Sequence, residues 1–99
     1  MNLIEQHKSE IEQLCNNYNV EKMYVFGSIL NQNFTKDSDV DLVVKFKSFD
    51  LSLYFENYFK LKEKLELILK RKVDLIEEQT LKNPFLIQSI NKSKKMIYG

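Results

Sequence analysis

Glycine is nearly absent from this chain. Two glycines in 99 residues, one of them the terminal Gly99, leave Gly27 as the single internal position where backbone can approach a neighbouring group with no Cβ in the way. A lone cysteine, Cys15, excludes an internal disulfide. It falls on an apolar stripe and is expected to act as a small buried hydrophobe, which suits a reducing cytoplasm. Charge of one sign is also lacking: 15 Lys+Arg against 14 Asp+Glu give a net +1, too little for a protein whose main task is to coat nucleic acid, so no direct nucleic-acid binding is expected. No apolar run approaches the roughly 18 residues of a membrane span, and the opening MNLIEQHKSEIEQL is too polar for a secretory signal. A soluble cytoplasmic protein with no membrane association is expected.

What is present is ordinary globular material. Apolar residues at 43% and charged ones at 29% suffice for one core, and the length allows one domain, spanning residues 1–99. Ile4, Ile11, Leu14, Cys15 and Tyr18 share one face of a helix predicted over 2–17. His7, near that stripe, reads as a boundary residue. The apolar KMYVF, residues 22–26, predicts a strand that ends at Gly27-Ser28, followed by a short helical or irregular piece through Asn33. A second strand is predicted over 40–46.

Asp50 is placed to cap the next helix, with Phe49 and Tyr54 as a hydrophobic staple, and the helix should reach Lys70. Leu51, Tyr54, Phe55, Tyr58, Leu61, Leu65 and Ile68 are its expected core positions. Lys70, Arg71 and Lys72 fall at its C-terminal end, where cations favour the helix dipole. Residues 72–76 predict a third strand, Pro84 the first turn of a last helix to about Lys92, and KKMIYG an edge strand or a tail. The fold class is therefore α/β (α+β), a layer of three or four strands covered by helices.

Alternation on the second strand places Asp39, Asp41, Val43 and Lys45 on one face and Val40, Leu42, Val44 and Phe46 on the other. Asp74 stands opposite Val73 and Leu75 on the third strand in the same way. If the strands are neighbours, three carboxylates converge. Such a group repels itself unless it holds something positive, and with oxygen ligands alone Mg²⁺ or Mn²⁺ is favoured over Zn²⁺. Taken alone, DSDVD reads equally well as a solvated turn entering a strand. Gly27-Ser28 tips the balance, because a glycine after a strand, free N–H groups in the next turn and a serine hydroxyl can receive phosphate oxygens.

Gly27-Ser28, the ten residues Ile29 to Ser38, and Asp39-Val40-Asp41 resemble the Gly-Ser, Asp-x-Asp signature of the DNA polymerase β-like nucleotidyltransferase superfamily, with Asp74 in the place of its third carboxylate. The stretch from Pro84 through Ile90 to Ile97-Tyr98 is similar to the end of its minimal members, the nucleotidyltransferase antitoxins whose partners are HEPN-domain toxins, typically ribonucleases. The resemblance spans essentially the whole chain and implies a nucleotidyltransferase fold. It implies that Asp39 and Asp41 hold Mg²⁺ on the triphosphate of ATP, and that Gly27 and Ser28 bind phosphates. Asp74 would complete a two-metal site and help to deprotonate an acceptor hydroxyl, which attacks the α-phosphorus and expels pyrophosphate.

Many relatives carry arginine just after Gly-Ser, where this chain has Ile29, Leu30, Asn31 and Gln32. Positive charge for the triphosphate is then to be sought in Lys36, or in Lys45, about 13 Å along the strand from Asp41. The leading expectation is an antitoxin that transfers AMP to a hydroxyl, tyrosine for preference, of a HEPN toxin. Against it stand a binding antitoxin that only masks its partner and an enzyme that modifies a small molecule such as an aminoglycoside. The last is disfavoured because relatives of that kind usually add a helical domain.

Overall fold

A computed structural model describes residues 2–30 and 34–99; Asn31, Gln32 and Asn33, part of the segment after Gly27-Ser28, lie outside the described residues. Two helices come first, α1 (Asn2–Gln6) and α2 (Lys8–Asn17). The single helix expected over 2–17 is thus broken at His7, whose ring Nδ1 lies 2.9 Å from Glu10 Oε1. Strand β1 (Val20–Phe26) runs into a 3-10 turn, Gly27–Leu30, and β2 (Val40–Phe46) leads to α3 (Tyr54–Leu69). β3 (Val73–Glu77), α4 (Pro84–Ser93) and β4 (Lys95–Tyr98) complete the chain, so the closing segment is an edge strand.

Local chemistry explains several boundaries. Asn19 takes the left-handed conformation an asparagine tolerates, at φ 61°, and turns the chain from α2 into β1. Asp50 Oδ1 accepts a hydrogen bond from Ser52 N at 2.9 Å, capping a 3-10 turn from which α3 continues, while Phe49 stacks on Tyr54. Lys70, at φ 55°, ends α3. Glu66 Oε2 then accepts from Val73 N at 3.0 Å, satisfying the first backbone donor of β3. Asn83 caps α4 through Phe85 N and Leu86 N, with Pro84 in the first turn as its fixed φ favours.

The sheet order is β3-β2-β1-β4, with β1 antiparallel to both β2 and β4 and β2 parallel to β3. One sheet face carries the main core. Val20, Met23 and Val25 of β1, with Val40, Leu42 and Val44 of β2, pack there with Ile11 and Cys15 of α2 and Leu61 and Leu65 of α3. On the other face α4 covers only part of the sheet, burying Ile90 and Val43. Tyr24, the cross-strand partner of Val43, lies beneath the Lys94 ammonium, 4.3 Å from its ring centre.

Two of the core positions expected on α3 are instead exposed. Leu51, in the 3-10 turn before α3, is 82% accessible and Phe55 is 72% accessible, and they continue with Phe59 as a second stripe beside the buried one. Cys15 is fully buried, and burial, with the nearby Glu12 charge, pushes its thiol up to about 12. A disulfide reagent should therefore leave the native protein unlabelled over minutes and titrate one thiol per chain in denaturant; rapid labelling of the native state would contradict this packing.

Candidate functional site

The pairing of three strands assembles the site. Phe26 is opposite Asp41 in the β1–β2 ladder, so the chain leaves β1 at Gly27 beside that carboxylate. Gly27 has φ +81°, and a Cβ built on it would overlap Asp41 Oδ2 and lie 3.2 Å from Asp41 Cγ. Glycine is thus needed twice, for a backbone angle that L side chains avoid and for room. Ser28 follows in the 3-10 turn, half-buried, and Ile29 turns into the core. The hydrophobic residue that follows Gly-Ser therefore has a packing role.

On the other side of β2, Asp41 is in register with Asp74 of β3. Asp39 stands one residue before β2, where Val40 N donates to Lys72 O at 2.9 Å and locks the entry of the strand. Asp39 and Asp74 are exposed and Asp41 half-buried. Burial first, then the charges of Asp74 and Asp39, raises the Asp41 carboxyl above its ordinary range. Asp39 and Asp74 thus both act on Asp41, the residue against which Gly27 lies.

Among the described residues no three acidic, histidine or cysteine side chains are drawn into a ready-made metal cage. That donor set still suits Mg²⁺, which takes one or two carboxylates and completes its shell with water and substrate phosphate oxygens. Lys45, a sequence candidate for charge near the triphosphate, is held elsewhere: its Nζ lies 3.2 Å from Glu21 Oε2 on β1. Val43, between Asp41 and Lys45 on that face, is covered by α4.

Arg71 is the residue that sequence reasoning placed wrongly. Expected as a helix-dipole cation, it donates from one guanidinium nitrogen to Thr35 O at 2.6 Å and Ser38 O at 3.0 Å, and stacks 4.4 Å from the Phe34 ring centre. Thr35 and Ser38 also bond each other, Thr35 N donating to Ser38 Oγ at 2.9 Å. This loop delivers Asp39, so Arg71 is a positioning residue anchored beside β3. Its partners are carbonyls more than thirty positions away, which leave no local signature in the sequence.

Comparisons with known proteins agree with this fold. The family model described as "Polymerase beta, Nucleotidyltransferase" matches residues 9–99. A Methanocaldococcus jannaschii protein provisionally named a protein adenylyltransferase is 36% identical over 90 residues, covering 89% of this chain and 84% of its own. Protein adenylyltransferase MntA of Thermococcus cleftensis is 33% identical over 81 residues, covering 82% of this chain and 76% of its own. A solved structure provisionally described as a minimal nucleotidyltransferase superposes with TM-score 0.75 at 27% identity, over 93% of this chain and 90% of that one.

Two more distant structures share the fold. A toxin–antitoxin complex with AMP-PNP gives TM-score 0.72 at 23% identity, covering 93% of this chain and 73% of that one. A complex of tri-AMPylated Shewanella oneidensis HEPN toxin with MNT antitoxin gives 0.67 at 21%, covering 96% and 71%. The fold is that of a nucleotidyl-transferring protein. The chain belongs to the polymerase β-like nucleotidyltransferase family and is a nucleotidyltransferase.

Two substitutions test how the site is built. Gly27→Ala should destabilise the protein by about 1–2 kcal/mol, the cost of a left-handed L residue, and displace the Asp41 carboxylate, with transfer lost beyond what instability explains; wild-type activity at an unchanged denaturation midpoint would contradict the packing. Arg71→Ala should lower transfer about tenfold or more while leaving global stability within about 1 kcal/mol, because a misplaced group costs rate before fold. Arg71→Lys should restore only part of it, since an ammonium can donate to the carbonyls but lacks the planar face that stacks on Phe34.

Proposed function

We propose that this chain is the antitoxin of a HEPN-type pair and transfers AMP from ATP to a hydroxyl of its partner toxin, a tyrosine for preference. The observation that carries the proposal is the register of Asp41 with Asp74 beside Gly27, with Asp39 and Asp74 exposed to solvent. Relatives named as protein adenylyltransferases support the acceptor class, and the AMPylated HEPN toxin bound to a fold neighbour supports the partner. On this reading residues 1–99 form one self-contained domain, and the acceptor brings its own docking surface.

Each residue has a definite task. Asp39 and Asp41 would hold Mg²⁺, which supplies charge neutralisation on the triphosphate when bound. Gly27 and Ser28 receive phosphate oxygens at the start of the 3-10 turn, where backbone N–H groups are not yet committed to helical bonds. Asp74, exposed at the rim, accepts the proton of the acceptor hydroxyl. The acceptor oxygen forms a bond to the α-phosphorus, the bond from that phosphorus to the bridging oxygen breaks, and pyrophosphate leaves with the electron pair.

The alternative, an antitoxin that only masks its partner, draws on the engagement of Lys45 with Glu21, which leaves the triphosphate without that cation. Intact-mass spectrometry of the co-encoded HEPN protein, incubated with this chain, ATP and Mg²⁺, separates the two. A mass increase of one or more AMP is expected with wild type, none with Asp41→Asn, and a rate about 10²–10⁴-fold lower with Asp74→Asn. Neutralisation of the toxin with no mass change in wild type or Asp41→Asn would establish masking instead.

A further inference from the structure

β3 presents Asp74 to the open site and Glu77, three residues on, to the opposite face of the sheet. Glu77 is only 8% exposed, the single buried charged residue among those described. It forms no ion pair among the described residues, and its hydrogen-bond donor there is Gln79 N, 3.4 Å from Oε1. Its surroundings are aromatic on the α3 side, while Lys47, Ser48 and Gln79 share an adjoining hollow with it. With Tyr54, Phe55, Tyr58, Phe59 and Ile76 it lines a groove of about 410 Å³ between α3 and β3. Tyr54 and Glu77 line the groove together, and burial, then the Glu77 charge, holds the Tyr54 hydroxyl above its ordinary range.

A carboxylate on the floor of an aromatic groove fits a guanidinium, which stacks its flat face on rings while its N–H fork meets the acid. The rim is ready for apolar contact: Phe55 is 72% and Phe59 59% exposed, with Leu51 and Leu53 exposed just before them. A second copy of this chain is a poor occupant. Two-fold pairing of the groove with itself would bring the buried Glu77 carboxylates together in an apolar interface with no counter-charge. Strand addition is also hindered, because the Tyr58 hydroxyl already donates to Leu75 O on β3, an edge strand.

We infer that this groove is the docking site of the protein acceptor, which inserts an arginine between the α3 aromatics onto Glu77 from an otherwise apolar segment. The inference rests on the proposal that the acceptor is a partner protein, and it adds where that protein sits. Docking on the outer side of β3 holds the acceptor next to the strand that bears Asp74. Its hydroxyl can then reach over the sheet edge to the site.

The test uses the full chain and the co-encoded HEPN protein, with affinity read by calorimetry, hydrogen exchange mapped in the complex, and AMP transfer read by mass at limiting partner concentration. Glu77→Gln and Phe59→Ala should each weaken partner binding about tenfold or more, with ATP affinity unchanged. The partner should slow exchange over residues 54–59 and 75–77. Phe59 is exposed, so Phe59→Ala keeps the test valid if Glu77→Gln fails to fold. Wild-type affinity in the folded variants, protection confined to other surfaces, no binding of the partner by wild type, or a self-dimer broken by Phe59→Ala would each overturn the inference. Partner binding that both variants weaken, with no mass gain in wild type, would leave the groove standing and remove the transfer reading. Undiminished transfer by both variants would do the reverse.

Discussion

Parallel, in-register pairing of β2 with β3 sets Asp41 beside Asp74, and the rest of the site follows from that contact. Repulsion between two partly solvated carboxylates is on the order of 1–4 kcal/mol at close range. The opposite face of β2 resists any escape: Val40, Leu42 and Val44 are almost wholly buried, each contributing about 1.5–3 kcal/mol. A slip of one residue would turn all three to the carboxylate side. The apolar face therefore fixes the register, and the carboxylates must tolerate it. Gly27 makes the crowding possible by leaving out a Cβ where Asp41 needs space, and Arg71 restrains the loop that brings in Asp39.

On the proposed reading β3 joins two functions because it is an edge strand with dissimilar faces. Asp74 is exposed on one side of the strand, while Leu75 enters the core and Glu77 ends at the aromatic groove. Tyr58 ties the faces together. Its hydroxyl donates to Leu75 O, and burial, then the charge of Asp74, raises its pKa above the ordinary tyrosine range. A partner seated against α3 would thus press on a side chain that feels the site. The edge is closed to a new strand at that carbonyl yet open to side-chain docking.

The elements legible in the sequence are those whose cause is local. β2 could be read with its observed bounds because alternation from Val40 to Phe46 is unbroken, and α4 because Pro84 marks its start. Asp39, Asp41 and Asp74 could be grouped because two apolar strand faces left their side chains nowhere else to point. What escaped depends on distant partners. Lys45 shares the carboxylate face by alternation, but Glu21 on the adjoining strand claims it. Arg71 binds carbonyls across the chain. On α3 two apolar stripes run side by side, and helical period alone could not say that Leu61 and Leu65 are buried while Leu51 and Phe55 are left outside. The break at His7 has no proline or glycine to announce it.

Charge balance gives the site its dependence on what it binds. Ile29 is in the core, Leu30 packs against it, and Lys45 is paired with Glu21, which leaves Lys36, exposed in the loop before Asp39, as the cation candidate the sequence offered. Asp41 meanwhile carries a raised pKa, first because it is half-buried and then because Asp74 and Asp39 are negative. A triphosphate brought to such a place adds negative charge to negative charge, and only a divalent cation shared between carboxylates and phosphates reverses the sign. Nucleotide and metal affinity are then strongly linked, each weak without the other. A relative with arginine after Gly-Ser has a second source of attraction; this chain, on the proposed reading, relies on the shared ion and on a partner held at the edge of β3.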